Sequence, residues 1–251
     1  MKMDFCQIKA ASAQLLADTR AAVSDTQETT PADITPAILN FAEPTLGGTP
    51  VFVPVVSDPH GLYGWCSDGV KQKIAADGGG IAFGWIIWEW RDAMLTAEFH
   101  AVWRDPDRNL IDITPKPSGE ARILFVHDAA YPANFDFDQR PRNRRVRIRA
   151  DQDLAAAAAA LRAKLTPSQE RYEQRRADKA GLALDQWLAR KVPADPLNDA
   201  IDKAIAACVA FEEHYDSLGA AGLIVPDDEF RRLALRRDGS VQKLKRLTRP
   251  S

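Results

Sequence analysis

Residues 80–115 read GIAFGWIIWEWRDAMLTAEFHAVWRDPDRNLIDITP. Two long runs of β-branched, aliphatic and aromatic residues, 81–90 and 95–104, are parted by Arg91-Asp92. A shorter run, 110–114, follows Asp105-Pro106-Asp107. Apolar runs of this kind between turn formers predict strands. A fourth strand is expected over 121–126, after the turn residues 115–120. Just upstream, 66–77 (CSDGVKQKIAAD) predicts a helix: Ser67 and Asp68 suit its first turn, and the glycines at 78–80 stop it. A helix followed by a meander of strands is an α+β pattern, with the helix packed on an antiparallel sheet.

The flanks are read outward from this centre. Residues 51–56 form a short β-branched run interrupted by Pro54, which suits an edge strand at most. Residues 31–50, rich in Pro, Thr and Gly, predict a connecting arm with one short helix over 36–41. Residues 1–30 predict a helix and its exit, with a modest stripe of Leu15, Leu16, Ala22 and Val23. Downstream, 144–149 alternates arginines with Val146 and Ile148, as a solvated edge strand would. After Ala150 the composition changes to helix formers: an alanine run, then 168–180, 182–191 and the amphipathic 198–218 with Ile201, Ile205, Cys208, Val209 and Phe211. The expected organisation is an N-terminal helix and arm (1–50), an α+β core (51–150) and an all-helical C-terminal region (151–251).

Within the core, three residues fall in an order that suits thiol chemistry. Cys66 opens the predicted helix, where unpaired N–H groups and the helix dipole favour a thiolate. Val70 and Ile74 continue its face, so Cys66 should sit at the end of the stripe that packs on the sheet. His100 alternates with Phe99 and Ala101 and so faces away from Phe99 and Trp103. A hairpin symmetric about Pro106 would make His100 and Asp112 direct cross-strand partners, with Cβ atoms roughly 4.5–5.5 Å apart. Asp112 would then fix the imidazole tautomer and stabilise its charged form. Trp65 beside the cysteine and Trp103 on the histidine strand are candidates to line a substrate cleft.

Each of these residues has a plain structural reading as well. Cys66 is a small residue suited to burial, His100 a satisfied core histidine, and Asp112 a turn cap. A metal site would need Cys66 and His100 with His60 or His127, but the spacings match no short zinc motif, so no metal and no cofactor is expected. Three separated cysteines do not form a disulfide framework. The formal net charge of -2 is nearly neutral and argues neither for bulk nucleic-acid binding nor for a membrane surface, although 139–149 and the tail 231–249 are locally basic; nucleic acid and membrane are not expected as partners. The opening residues carry no signal-peptide-like apolar run, and no segment has the roughly 20 apolar residues that span a bilayer. A cytoplasmic location follows as the expectation, with free thiols.

The string HAVWRDPDRNLIDITP resembles the His-strand, turn and Asp-strand of the papain/transglutaminase-like cysteine superfamily, in which a cysteine at a helix N-terminus precedes both strands. The resemblance covers residues 66–128. The segment GGGIAFGWIIWEW, with its HAVW strand, is also similar to a group of uncharacterised bacterial proteins. The superfamily resemblance implies Cys66 as nucleophile, His100 as base and later acid, and Asp112 as orienter. It implies hydrolysis, deamidation or acyl transfer at an amide or ester, with a protein or peptide as substrate. The alternative is a non-catalytic interaction protein of the same fold, docking a partner through its helical region and basic tail.

Overall fold

A computed structural model describes residues 4–22, 28–218 and 225–249. The chain runs α1 (Phe5–Ala22), β1 (Glu28–Thr29), α2 (Pro36–Phe41), a π-helical turn (Ala42–Leu46), β2 (Pro50–Pro54), α3 (Cys66–Asp77), β3 (Gly80–Trp90), β4 (Met94–Arg104), β5 (Leu110–Ile111), β6 (Arg122–His127), a 3-10 turn (Phe137–Gln139) and β7 (Arg144–Arg147). Then come α4 (Leu154–Arg162), α5 (Pro167–Lys179), α6 (Leu184–Ala189), α7 (Pro196–Ser217) and α8 (Asp228–Thr248). The class is α+β: an antiparallel sheet followed by a helical C-terminal region. Val23, part of the stripe expected for the first helix, lies outside the described residues.

β3 and β4 pair along their whole length, from Gly80 opposite Arg104 to Trp90 opposite Met94. Asp92 turns the hairpin at φ 58, a left-handed conformation that Asp tolerates better than most residues. Side chains alternate between faces, and both faces are buried. Phe83, Trp85, Ile87, Leu95, Ala97 and Phe99 pack with α2, the π-helical turn and Val70 of α3. Ala82, Ile86 and Val102 pack on the other side with Val53, Ile123 and Phe125. Double burial is why these strands read as continuous apolar runs rather than alternating ones.

The strand order is β2-β6-β3-β4-β5, with β1 on β3 and β7 on β4. It differs from the expected meander: β6 lies beside β3, not β5. The β5 ladder is only two pairs long, and at Asp112 the chain leaves β4 to bridge Val55 in parallel. The sheet therefore curls until its two outer strands touch. β2 pairs in a ladder with β6 alone, the edge position that its terminal prolines suit.

The C-terminal helices start where their caps dictate. Thr166 and Gln169 form a capping box ahead of α5, and Asp195 caps α7 with Pro196 in its first turn. α7 and α8 pack on Trp90, Ala93 and Met94 at the β3–β4 turn. Arg145 of β7 meets Glu212 of α7 at 2.7 Å, and Arg147 meets Asp202 at 2.9 Å. The basic strand lies at an edge, as expected, pairing with β4 alone, but its arginines are ion-paired to a helix rather than solvated. The tail expected to be a basic face is α8. Among the described residues no helix is long and apolar enough to cross a membrane.

Candidate active site

His100 sits mid-strand in β4, directly opposite Gly84 of β3. Its ring is buried, and Nε2 lies 3.1 Å from Asp112 Oδ1. Asp112 is wholly buried. Its backbone N–H donates to the Pro54 carbonyl and its carbonyl accepts from the Val56 N–H, both at 2.9 Å. Its Oδ1 also accepts from the Thr114 N–H at 2.8 Å. The closure between β5 and the end of β2 is therefore what aims the carboxylate at the imidazole.

The register behind this pair differs from the expected one. Trp103 pairs with Ile111 and Arg104 with Leu110, which centres the hairpin on Asp107 rather than Pro106. The cause is the loop: Asp105 and Asn109 close it through a backbone hydrogen bond of 3.0 Å, and Arg108 takes the left-handed conformation at φ 73. Extending the ladder puts position 114 opposite His100, with Asp112 diagonal to it. Moving a strand partner by two positions preserves the face, so the two side chains still meet.

A third group joins this pair. Lys116 is only 6% exposed, and its Nζ lies 2.6 Å from Asp112 Oδ2. The contact is an ion pair on the carboxylate oxygen that His100 does not touch. Burial by itself would raise the Asp112 pKa, but the charges of His100 and Lys116 outweigh it and hold the carboxyl well below the usual range. For His100, burial opposes the charged ring. Asp112 foremost, and then Cys66, outweigh burial and Lys116 and push the imidazole up to about 9. Sequence reasoning missed Lys116. The only local signal is its place in Pro115-Lys116-Pro117.

Cys66 is buried as the first residue of α3 and belongs to the apolar cluster with Val70, Phe99, Ala101 and Ile113. Trp65, in the capping position, supplies no side-chain acceptor, so the first N–H groups of the helix have no side-chain cap. Ser67 Oγ is buried there without a hydrogen-bond partner. The stripe of α3 packs on the face that carries Phe99, whereas His100 lies on the opposite face. Over residues 98–102 the outer edge of β4 is unpaired, between its ladders with β7 and β5. The charge of Cys66 acts on the imidazole, but no hydrogen bond joins the two side chains.

The other candidates fall elsewhere. Trp65 is half-buried beside Cys66. Trp103 donates from Nε1 to the Gly78 carbonyl at 3.0 Å and lies under the Lys73 ammonium, at the far end of α3 from Cys66. Twelve helical residues separate the two ends by roughly 17 Å, so the structure does not bring Trp103 to the thiol. His127 lies 3.3 Å from Arg104, and burial first, then that guanidinium, lowers its pKa. His60 stands in the loop against α3, where its carbonyl fills the space over Gly69. Among the described residues no group of three or more His, Cys, Asp or Glu side chains could hold a metal ion.

Comparison with protein-family models, with curated proteins and with solved structures found no match to this chain.

Proposed function

We propose that the protein is a cysteine-dependent hydrolase or acyltransferase with a papain/transglutaminase-like core, acting on an amide or ester carbonyl of a protein or peptide. The observation that carries this reading is a buried imidazole paired with a buried aspartate, with a cysteine at an uncapped helix start acting on the same ring. Asp112 holds His100 through Nε2, which leaves Nδ1 to exchange the proton of Cys66.

The steps follow from those positions. Proton transfer from Sγ to Nδ1 gives a thiolate and an imidazolium. The thiolate attacks the carbonyl carbon, and the oxyanion that forms is held by free N–H groups at the start of α3. The intermediate collapses with cleavage of the bond to the leaving amine or alcohol, which takes the proton from His100. A thioester on Cys66 remains. Water or an amine, deprotonated by His100, attacks it and releases the acyl group. The thiol then regains its proton.

The reading is tested by alkylating Cys66 with iodoacetamide near neutral pH. Cys6 is exposed, so Cys6→Ser and Cys208→Ser are introduced to leave one thiol. Cys66 should react roughly tenfold or more faster than free cysteine, and His100→Ala should abolish the excess. A rate equal to that of free cysteine and indifferent to His100→Ala refutes it.

A second reading is favoured by α8, where Leu235 is 75% exposed among arginines. It makes the protein a non-catalytic module that docks an acidic protein partner there. It predicts partner binding that Leu235→Asp abolishes and Cys66→Ala leaves intact.

A further inference from the structure

We infer that Lys116 is a positioning residue that sets the charge balance of the Cys66–His100 pair, and is not simply a support for the fold. The inference rests on the thiol reading proposed above.

A lysine is rarely buried unless it is paired, and Lys116 has Asp112 as its ion-pair partner, at 2.6 Å. Its backbone is fixed for the purpose. Pro115 and Pro117 each lock their own φ, and the second also confines Lys116 to extended conformations. The Gly119 N–H closes the turn onto the Lys116 carbonyl at 3.2 Å. Taking an ammonium out of water is costly, and an apolar side chain of similar volume would often fill such a site at no loss of stability. The charge itself therefore needs a use.

Counting charges supplies one. Without Lys116, Asp112 is balanced by a protonated His100, and a thiolate at Cys66 would leave the group with one buried negative charge too many. With Lys116, the carboxylate already has a cation. A protonated His100 then calls for one further anion, and Cys66 is the remaining group whose charge acts on the ring. Lys116 thus favours the thiolate and also makes the imidazolium readier to give up its proton, which is what protonation of a leaving group requires. The other titratable side chains on the surrounding segments are Asp58, His60 and Tyr63 in the loop before α3, Asp68, Lys71, Lys73 and Asp77 along that helix, Glu98 and Arg104 on β4, His127 on β6, and Glu120 after the lysine. Of these, Asp58 is occupied by Lys73 at 2.6 Å.

The test is the pH profile of Cys66 alkylation in the Cys6→Ser/Cys208→Ser background. Lys116→Met should move both limbs of the profile to higher pH and lower the rate at neutral pH roughly tenfold. Lys116→Arg should leave the limbs near their original places. A lysine that only supports the fold would change the rate by one factor at every pH, and that result overturns the inference. If Lys116→Met does not fold, Lys116→Gln keeps a polar contact to Asp112 without the charge and takes its place. Should both neutral variants unfold while Lys116→Arg folds, the residue is structural and the inference falls. A parent protein whose Cys66 reacts like free cysteine would instead defeat the thiol reading itself, so the two failures are distinct.

Discussion

Gly84 and His100 face each other across the β3–β4 pair, and a Cβ on Gly84 would lie 2.1 Å from the Val126 carbonyl oxygen and 2.7 Å from the Phe125 ring. The obstruction is largely backbone, so it cannot be relieved by turning a side chain. Gly84→Ala should force β3 and β6 apart and cost about 1–3 kcal/mol or more of stability. Urea unfolding measures that loss. Because β3 carries His100's neighbour, the alkylation rate of Cys66 should fall in the same variant.

The raised pKa of His100 makes stability depend on pH. The ring titrates at about 9 in the folded chain, against an ordinary 6.5. A folded-state pKa above the unfolded one gives a contribution that is complete below pH 6.5 and is lost as pH rises through about 9. Unfolding free energy should decline across that window by about 3 kcal/mol at most. Asp112 acts in the opposite sense: its depressed pKa stabilises the fold above 3.8 and that contribution is lost as pH falls below it. Denaturation curves at a series of pH values should show both slopes, and His100→Gln should remove the alkaline one.

Lys73 ties the loop before α3 to the helix. Its ammonium contacts Asp58 at 2.6 Å and Asp77 at 2.5 Å, and lies 4.8 Å from the Trp103 ring centre. Lys73→Ala should cost about 1 kcal/mol, mostly through the lost pairing with Asp58, since Asp77 is exposed. It should leave the pH profile of Cys66 alkylation in place, since none of its partners is in the His100–Asp112–Lys116 group. Thermal melts and the alkylation profile check the two halves of this expectation.

Arg145 holds α7 to the sheet. It bonds both carboxylate oxygens of Glu212, at 3.0 and 2.7 Å, and its own side chain is largely buried. Next to it, Thr96 donates to the half-buried Glu28 at 2.6 Å. Burial is the largest influence on Glu28 and raises its pKa. Removing Glu212 strands a largely buried guanidinium, so Glu212→Ala should cost about 2–3 kcal/mol. Limited proteolysis should then cut the segment between the sheet and α7, near residues 149–153, faster than in the parent protein.

Local chemistry made much of the fold legible. The runs at 81–90 and 95–104 could be little else than strands, and Cys66–Asp77 matched its expected bounds because the following glycines end the helix. The register of the His100–Asp112 hairpin was not legible, because it turns on the left-handed Arg108, which no residue type at that position announces. The place of β6 beside β3 was hidden for another reason: pairing between distant segments depends on packing on both faces at once. Lys116 was the largest omission. A lysine between prolines has the look of a solvated turn, and its burial against Asp112 exists only once β5 has turned toward β2.

The bare start of α3 has a thermodynamic consequence. Trp65 gives the helix no side-chain acceptor, and a missing cap costs a helix about 1 kcal/mol. A ligand oxygen seated on those N–H groups would supply the missing cap and complete the secondary structure of its own receptor. Occupancy and folding are then linked: a ligand that binds the folded chain alone raises its melting temperature, by an amount set by how far its concentration exceeds its dissociation constant. Small amides, esters and thioesters could be ranked by that shift alone, before any turnover is sought.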